Sequence, residues 1–176
     1  MSSFTLSETF SQSLLVSYFK KMLIFFATDP FYTKYVRLPH RSDPIPPKIA
    51  NDPKRSPFFD NALGALDGTH ISCAPSGEDK ERTRNRKGTL TQNCLMACSF
   101  DMSFTYVCSG WEGSAADALV YHDARCTDFR IPSGKFYLAD AGFGLSQELL
   151  TPYRGVRYHL AEWSRTGNRY IQTAWI

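Results

Sequence analysis

Three aspartates are placed where chemistry is easiest to explain. Asp67 interrupts the apolar run of residues 63–71, Asp140 closes the short run of residues 135–139, and Asp117 stands near the start of a helix-forming segment. An aspartate inside a β-run is disfavoured by propensity and costly to bury unpaired, so each needs compensation. A single one is ordinarily a local hydrogen-bond acceptor. Two on neighbouring strands repel each other, and a cation is the direct remedy. Hard oxygen donors without clustered His or Cys suit Mg²⁺ or Mn²⁺ rather than zinc. The chemistry that fits such a site is phosphoryl transfer, in which two ions about 3.5–4 Å apart activate a nucleophile and steady the leaving oxygen.

Other constellations are weaker. His70, Cys73, Cys94 and Cys98 can be assembled on paper into a zinc site, but strand geometry opposes it. His70 and Cys73 are three apart and face opposite sides of a strand, and Cys94 and Cys98 lie about 13 Å apart along one. Both cysteines read as small core residues. His40, His122 and His159 have no partner at diagnostic spacing and read as structural, and Trp111 reads as a packing residue. No Gly-x-Ser-x-Gly elbow or Walker loop occurs. Arg82, Arg84, Arg86 and Lys87 crowd into a loop that also carries Glu78, Asp79 and Glu81. That loop is either a solvated, partly self-paired turn or a phosphate contact in which each neutralised charge adds salt-dependent affinity. Arg154, Arg157, Arg165 and Arg169 extend the same basic surface.

The elements that must hold these residues follow from pattern. Residues 63–71, 91–100 and 104–109 are β-rich, with residues 101–103 as a hairpin turn. Residues 114–123 read as a helix that Ser114 can cap. Residues 135–139 form another strand, with a turn at residues 142–144 and Glu148 on a connecting helix. Antiparallel strands, a helix and a further strand describe a mixed-sheet α/β domain. Upstream, residues 1–28 are helical in periodicity: Ser7 is a candidate cap, and Phe10, Leu14, Leu15, Tyr18, Phe19, Met22 and Leu23 recur at helical spacing. Residues 29–57 change character, with Pro30, Pro39, Pro44, Pro46, Pro47 and Pro53 marking an extended connector and a short helix near residues 31–36. The organisation expected is therefore a helical segment (1–28), a Pro-rich connector (29–57) and an α/β domain (58–176).

Composition agrees with a chain that folds. The 176 residues are 43% hydrophobic and 21% charged, which excludes global disorder. A net charge of +3 is too small to name a polyanion as partner, but residues 101–148 hold seven acidic against three basic side chains. A carboxylate-rich middle thus lies between basic flanks. Five cysteines, without disulfide-framework spacing, read as reduced thiols of an intracellular protein. The N-terminal apolar run of residues 22–27 is far below the roughly 20 residues needed to span a bilayer, so no membrane segment is expected.

The aspartates lie in motifs that resemble Harbinger-type transposases and the nucleases derived from them. GALDGTHI (64–71) resembles the opening acidic motif. NRKG (85–88) with QNCL (92–95), GWEGSAAD (110–117), YLADAGF (137–143) and PYRGVRYHL (152–160) follow in the family's order. FYTKYV (31–36) and Phe58-Phe59 also look familiar, so the resemblance runs over about residues 30–163. It implies an RNase H-like fold, a mixed sheet with flanking helices, and a divalent-metal carboxylate site (Mg²⁺ or Mn²⁺) that cuts DNA. Asp67 matches the first catalytic acid and Asp140 the second, and Asp117 matches a further metal-associated aspartate. Arg84, Arg86 and Lys87 become the expected DNA contacts, and the nucleus the expected location.

The family's last acid is a glutamate on a later helix, and residues 164–176 do not match that segment. Glu162 and Glu148 are weak substitutes: Glu162 follows directly on a strand expected at residues 158–160, and Glu148 comes too soon after Asp140. The chain therefore reads as a truncated copy or incomplete gene model, also lacking the usual N-terminal DNA-reading module, with a separate DNA-binding protein as the expected partner. Two functions follow: a metal-dependent endonuclease domain impaired by the missing glutamate, or an inactive remnant that binds DNA or protein.

Overall fold

A computed structural model of the chain describes residues 12–153 and Gly155. The expectations placed on Ser7, Phe10, Arg154, Arg157, His159, Glu162, Arg165 and Arg169 lie outside the described residues. The elements run α1 (Gln12–Ala27), α2 (Phe31–Tyr35), α3 (Pro47–Ala50), β1 (Ala62–Ser72), β2 (Thr91–Cys98), β3 (Phe104–Glu112), α4 (Asp117–Thr127), β4 (Phe136–Ala139) and β5 (Leu149–Leu150). The five strands form one sheet in the order β3-β2-β1-β4-β5. β1 pairs antiparallel with β2, as does β2 with β3, whereas β4 runs parallel to β1 and β5 parallel to β4. This mixed sheet with flanking helices is the expected α/β class and is consistent with an RNase H-like fold.

The central strand shows why the sequence adopts it. Ala62, Gly64 and Leu66 are buried, alternating with the less buried Leu63, Ala65 and Asp67, the two-residue period of a strand with one face on a core. Leu66 packs with Leu95 and Ala97 of β2, Val120 and Ala124 of α4, and Tyr137 of β4. Phe129, just past α4, is fully buried between aromatic neighbours, its ring 4.4 Å from Tyr106 and 5.5 Å from Tyr137. The β2–β3 hairpin turns where expected: the Met102 and Ser103 region closes through Ser99 N–H to Ser103 O at 2.9 Å, with Met102 at φ 64°.

Two expectations are corrected. Ser114 does not cap α4: the N-cap is Ala116, which makes no side-chain cap bond, and the Ser114 N–H donates instead to Arg82 O at 3.4 Å. Glu148 is not on a helix. It lies in the turn that leads into β5, a strand of only two residues.

Candidate carboxylate site

Asp67 and Asp140 are brought abreast by strand register. In the parallel β1–β4 pair Leu66 faces Ala139; Asp67 follows in β1, and Asp140 is the first residue past the end of β4. Neighbouring strands lie about 4.8 Å apart, and residues level with each other share a face. Leu66 and Ala139 pack on the α4 side of the sheet; by alternation Asp67 falls on the other side, and Asp140 begins the turn that leaves β4. Both are exposed. Each has one oxygen engaged locally, Asp67 Oδ1 by the Gly68 N–H and Asp140 Oδ1 by the Gly142 N–H, both at 2.8 Å. The two Oδ2 atoms have no protein partner among the described residues.

Asp117 is held elsewhere. As the first residue of α4, its carboxylate lies at the helix end that favours negative charge. Asn93, 1% exposed, donates from Nδ2 to Asp117 Oδ1 at 2.7 Å and to Ala115 O at 3.0 Å. The carboxylate presses on the bare Cα of Gly68: a Cβ there would come within 2.1 Å of Asp117 Oδ1. Gly68, like Leu66, points to the α4 side, so the β1 backbone separates Asp117 from the Asp67 side chain. Among the described residues no three His, Cys, Asp or Glu side chains gather closely enough to hold one metal ion. The register thus brings Asp67 and Asp140 to the same end of adjacent strands and leaves Asp117 across β1 from Asp67.

Glu148 is committed to another task. Arg125 grips it with two nitrogens, Nε to Oε2 at 3.2 Å and Nη2 to Oε1 in a closer contact, and Tyr121 Oη donates to Oε2 at 3.4 Å. This pair ties α4 to the turn before β5. Burial, and secondarily the Glu148 charge, push the Tyr121 hydroxyl up to about 12.

The basic loop is a built turn. Asn85 Oδ1 accepts from the N–H groups of Lys87 and Thr89 at 2.9 and 3.1 Å. Arg84 Nη1 donates to Gly88 O at 2.9 Å, and Thr91 N–H to Thr83 O at 2.9 Å. Arg84, Arg86 and Lys87 are all exposed, and among the described residues none of the three is in an ion pair. Arg82 reaches out of the loop to Glu112, 3.9 Å away. A surface cleft of about 560 Å³ runs beside this region, lined by residues 109–112 and 114–116 with Leu119. None of the three aspartates lines it, and Trp111 packs partly on the core.

In the candidate zinc set, His70 stands opposite Asn93 and bonds Thr91 Oγ1 through Nδ1 at 3.1 Å, while Cys94 stands opposite Thr69 and is buried. The reading of His122 as partnerless is corrected: Cys126 Sγ lies 4.0 Å from its Nδ1. Their spacing of four residues within a helical pattern was the signal available in the sequence.

A mixed sheet with one aspartate in its central strand and another just past the end of the adjacent parallel strand defines a class of carboxylate-bearing α/β proteins, and comparison with known families makes it specific. Residues 66–175 match the family described as DDE superfamily endonuclease, and the chain belongs to that family. Among curated proteins it is similar to "Putative nuclease HARBI1" of Rattus norvegicus and of Homo sapiens, 33% identical over 94 residues, and of Bos taurus, 31% identical over the same length. Each alignment covers 51% of this chain and 27% of the relative, so the matched part is about a quarter of the relatives' length. No solved structure matches. The Harbinger-type resemblance of the motifs is thereby borne out. No helix among the described residues is long and apolar enough to cross a membrane.

Proposed function

We propose that this chain is a transposase-derived, divalent-metal-dependent endonuclease domain that hydrolyses phosphodiester bonds of DNA in the nucleus. The observation that supports the reading is the Leu66–Ala139 register, beyond which Asp67 and Asp140 are the next residues, each with an Oδ2 that has no protein partner among the described residues. Exposed carboxylate oxygens in a pair are donors that suit Mg²⁺ or Mn²⁺. A bound ion would supply a polarised phosphoryl oxygen and an activated water. Asp67 and Asp140 would hold it, and the Gly68 and Gly142 N–H groups would keep the two carboxylates oriented. Asp117, fixed by Asn93 and pressed on Gly68, acts through the β1 backbone to orient Asp67 rather than as a ligand on the same side. Arg84, Arg86 and Lys87 contact DNA phosphates, which positions the duplex without reading its sequence. A separate DNA-binding protein supplies target choice.

A second reading is an inactive remnant that binds DNA or a protein. It is supported by the place of Asp117, which lies across the β1 backbone from Asp67 and is held there by Asn93. Nicking of supercoiled DNA with Mg²⁺ or Mn²⁺, wild type against Asp67→Asn, separates the two. Cleavage that falls by about 10²-fold or more in the variant, the scale on which small misplacements of reacting groups register, supports the nuclease. Absence of cleavage by the folded wild type supports the remnant.

A further inference from the structure

We propose that His122 and Cys126 form a two-ligand site for a thiophilic divalent ion, zinc first, on the solvent face of α4. The pair has no part in the carboxylate chemistry. Both residues are exposed, whereas Val120 and Ala124 of the same helix are buried in the core. His122 and Cys126 are each two residues on from those core positions, so about 200° around the helix, nearly opposite the packed face. Residues four apart on a helix are neighbours, and here Cys126 Sγ lies 4.0 Å from His122 Nδ1.

That separation suits chelation. With Zn–S near 2.3 Å, Zn–N near 2.05 Å and a tetrahedral angle, two ligands of one ion stand about 3.6 Å apart. The 4.0 Å observed needs only a small side-chain rotation to close, on a helix whose backbone is already formed. Sulfur and imidazole nitrogen select zinc and its neighbours over Mg²⁺, so the site does not compete with Asp67 and Asp140 for the same ion. Binding takes the thiolate, releasing the Cys126 proton to solvent. The two remaining tetrahedral positions face outward and are open to water or to donors of another molecule.

Cobalt(II) titration of the whole chain tests this, because thiolate ligation gives Co²⁺ a near-ultraviolet charge-transfer band that oxygen ligands do not. Wild type and Asp67→Asn should show the band. Cys126→Ser should lose it, and His122→Ala should weaken Co²⁺ binding by at least about tenfold, a cost that even outer partners of a metal can reach. Both substitutions lie on the exposed face, so circular dichroism should report an unchanged fold. A wild type without the band overturns the proposal. So does a band that survives Cys126→Ser, which would move the thiolate to another cysteine, or an affinity unmoved in His122→Ala, which would leave a lone thiol.

Discussion

The Asp117 carboxylate sits directly on the Cα of Gly68, with room for a hydrogen and none for a methyl. A Cβ at position 68 would meet Asp117 Oδ1 at 2.1 Å and Cγ at 2.4 Å. The contact joins the start of α4 to the strand that carries Asp67. Gly68→Ala should therefore cost about 1–3 kcal/mol, as overpacking usually does. Combining it with Asp117→Ala should recover part of that loss, because contacting residues couple. Urea unfolding of the two single variants and the double variant measures the coupling, and additive losses would contradict the contact.

Asn93 is the second support. Its Nδ2 serves Asp117 and Ala115 together, and its Oδ1 is buried with no partner among the described residues. Asn93→Leu removes both bonds and leaves the Ala115 carbonyl and the Asp117 carboxylate short of a donor. A loss of about 1–3 kcal/mol is expected, the cost of unsatisfied polar groups. Asn93→Asp should be worse at neutral pH and milder in acid, since it sets a second carboxylate beside Asp117. Chemical denaturation at two pH values reads the difference.

The Arg125–Glu148 pair makes a prediction about what Glu148 does not do. Glu148→Gln should lower stability by about 1 kcal/mol, a modest figure because its side chain is 39% exposed. It should leave DNA nicking unchanged, as expected of a side chain held by Arg125 rather than aimed at Asp67 and Asp140. A Glu148→Gln chain that is stable but inactive would point to a catalytic carboxylate instead.

Tyr121 gives the pH dependence. Its hydroxyl is raised from 10.0 to about 12 by burial first and by Glu148 second. A raised folded value means the contribution to stability is complete below pH 10 and is lost as pH rises through the interval to about 12. Melting temperature followed across that interval should fall more steeply in wild type than in Tyr121→Phe.

The basic loop is tested by salt. Replacing Arg86 and Lys87 together with alanine should reduce the slope of log affinity against log salt by roughly two if each meets one phosphate of duplex DNA. An unchanged slope would make the loop a solvated turn.

Much of this architecture is legible in the residues. The β-rich runs of residues 63–71, 91–100 and 104–109, with the turn at residues 101–103, predict the antiparallel half of the sheet, and the apolar run ending at Asp140 predicts β4. β5 is only two residues long and carries no period that a sequence can show. Ser114 does not cap α4 because the helix begins only at Asp117, which puts Ala116 at the N-cap and Ser114 two residues before it. Asp67, Asp117 and Asp140 stand out in the sequence by type and setting. Their division between two faces of β1 was not legible, since it depends on how α4 crosses the sheet. Glu148 escaped for the same reason: only the folded chain brings Arg125 to it.

The central claim is that Asp67 and Asp140 share one divalent ion, and Mn²⁺ binding followed by electron paramagnetic resonance tests it most directly. Asp67→Asn and Asp140→Asn should each weaken Mn²⁺ binding, and the double variant should lose little more than either alone, because each removes half of one site. Glu148→Gln should bind as wild type does. Losses that simply add, or single variants that bind Mn²⁺ as tightly as wild type, would contradict a shared ion.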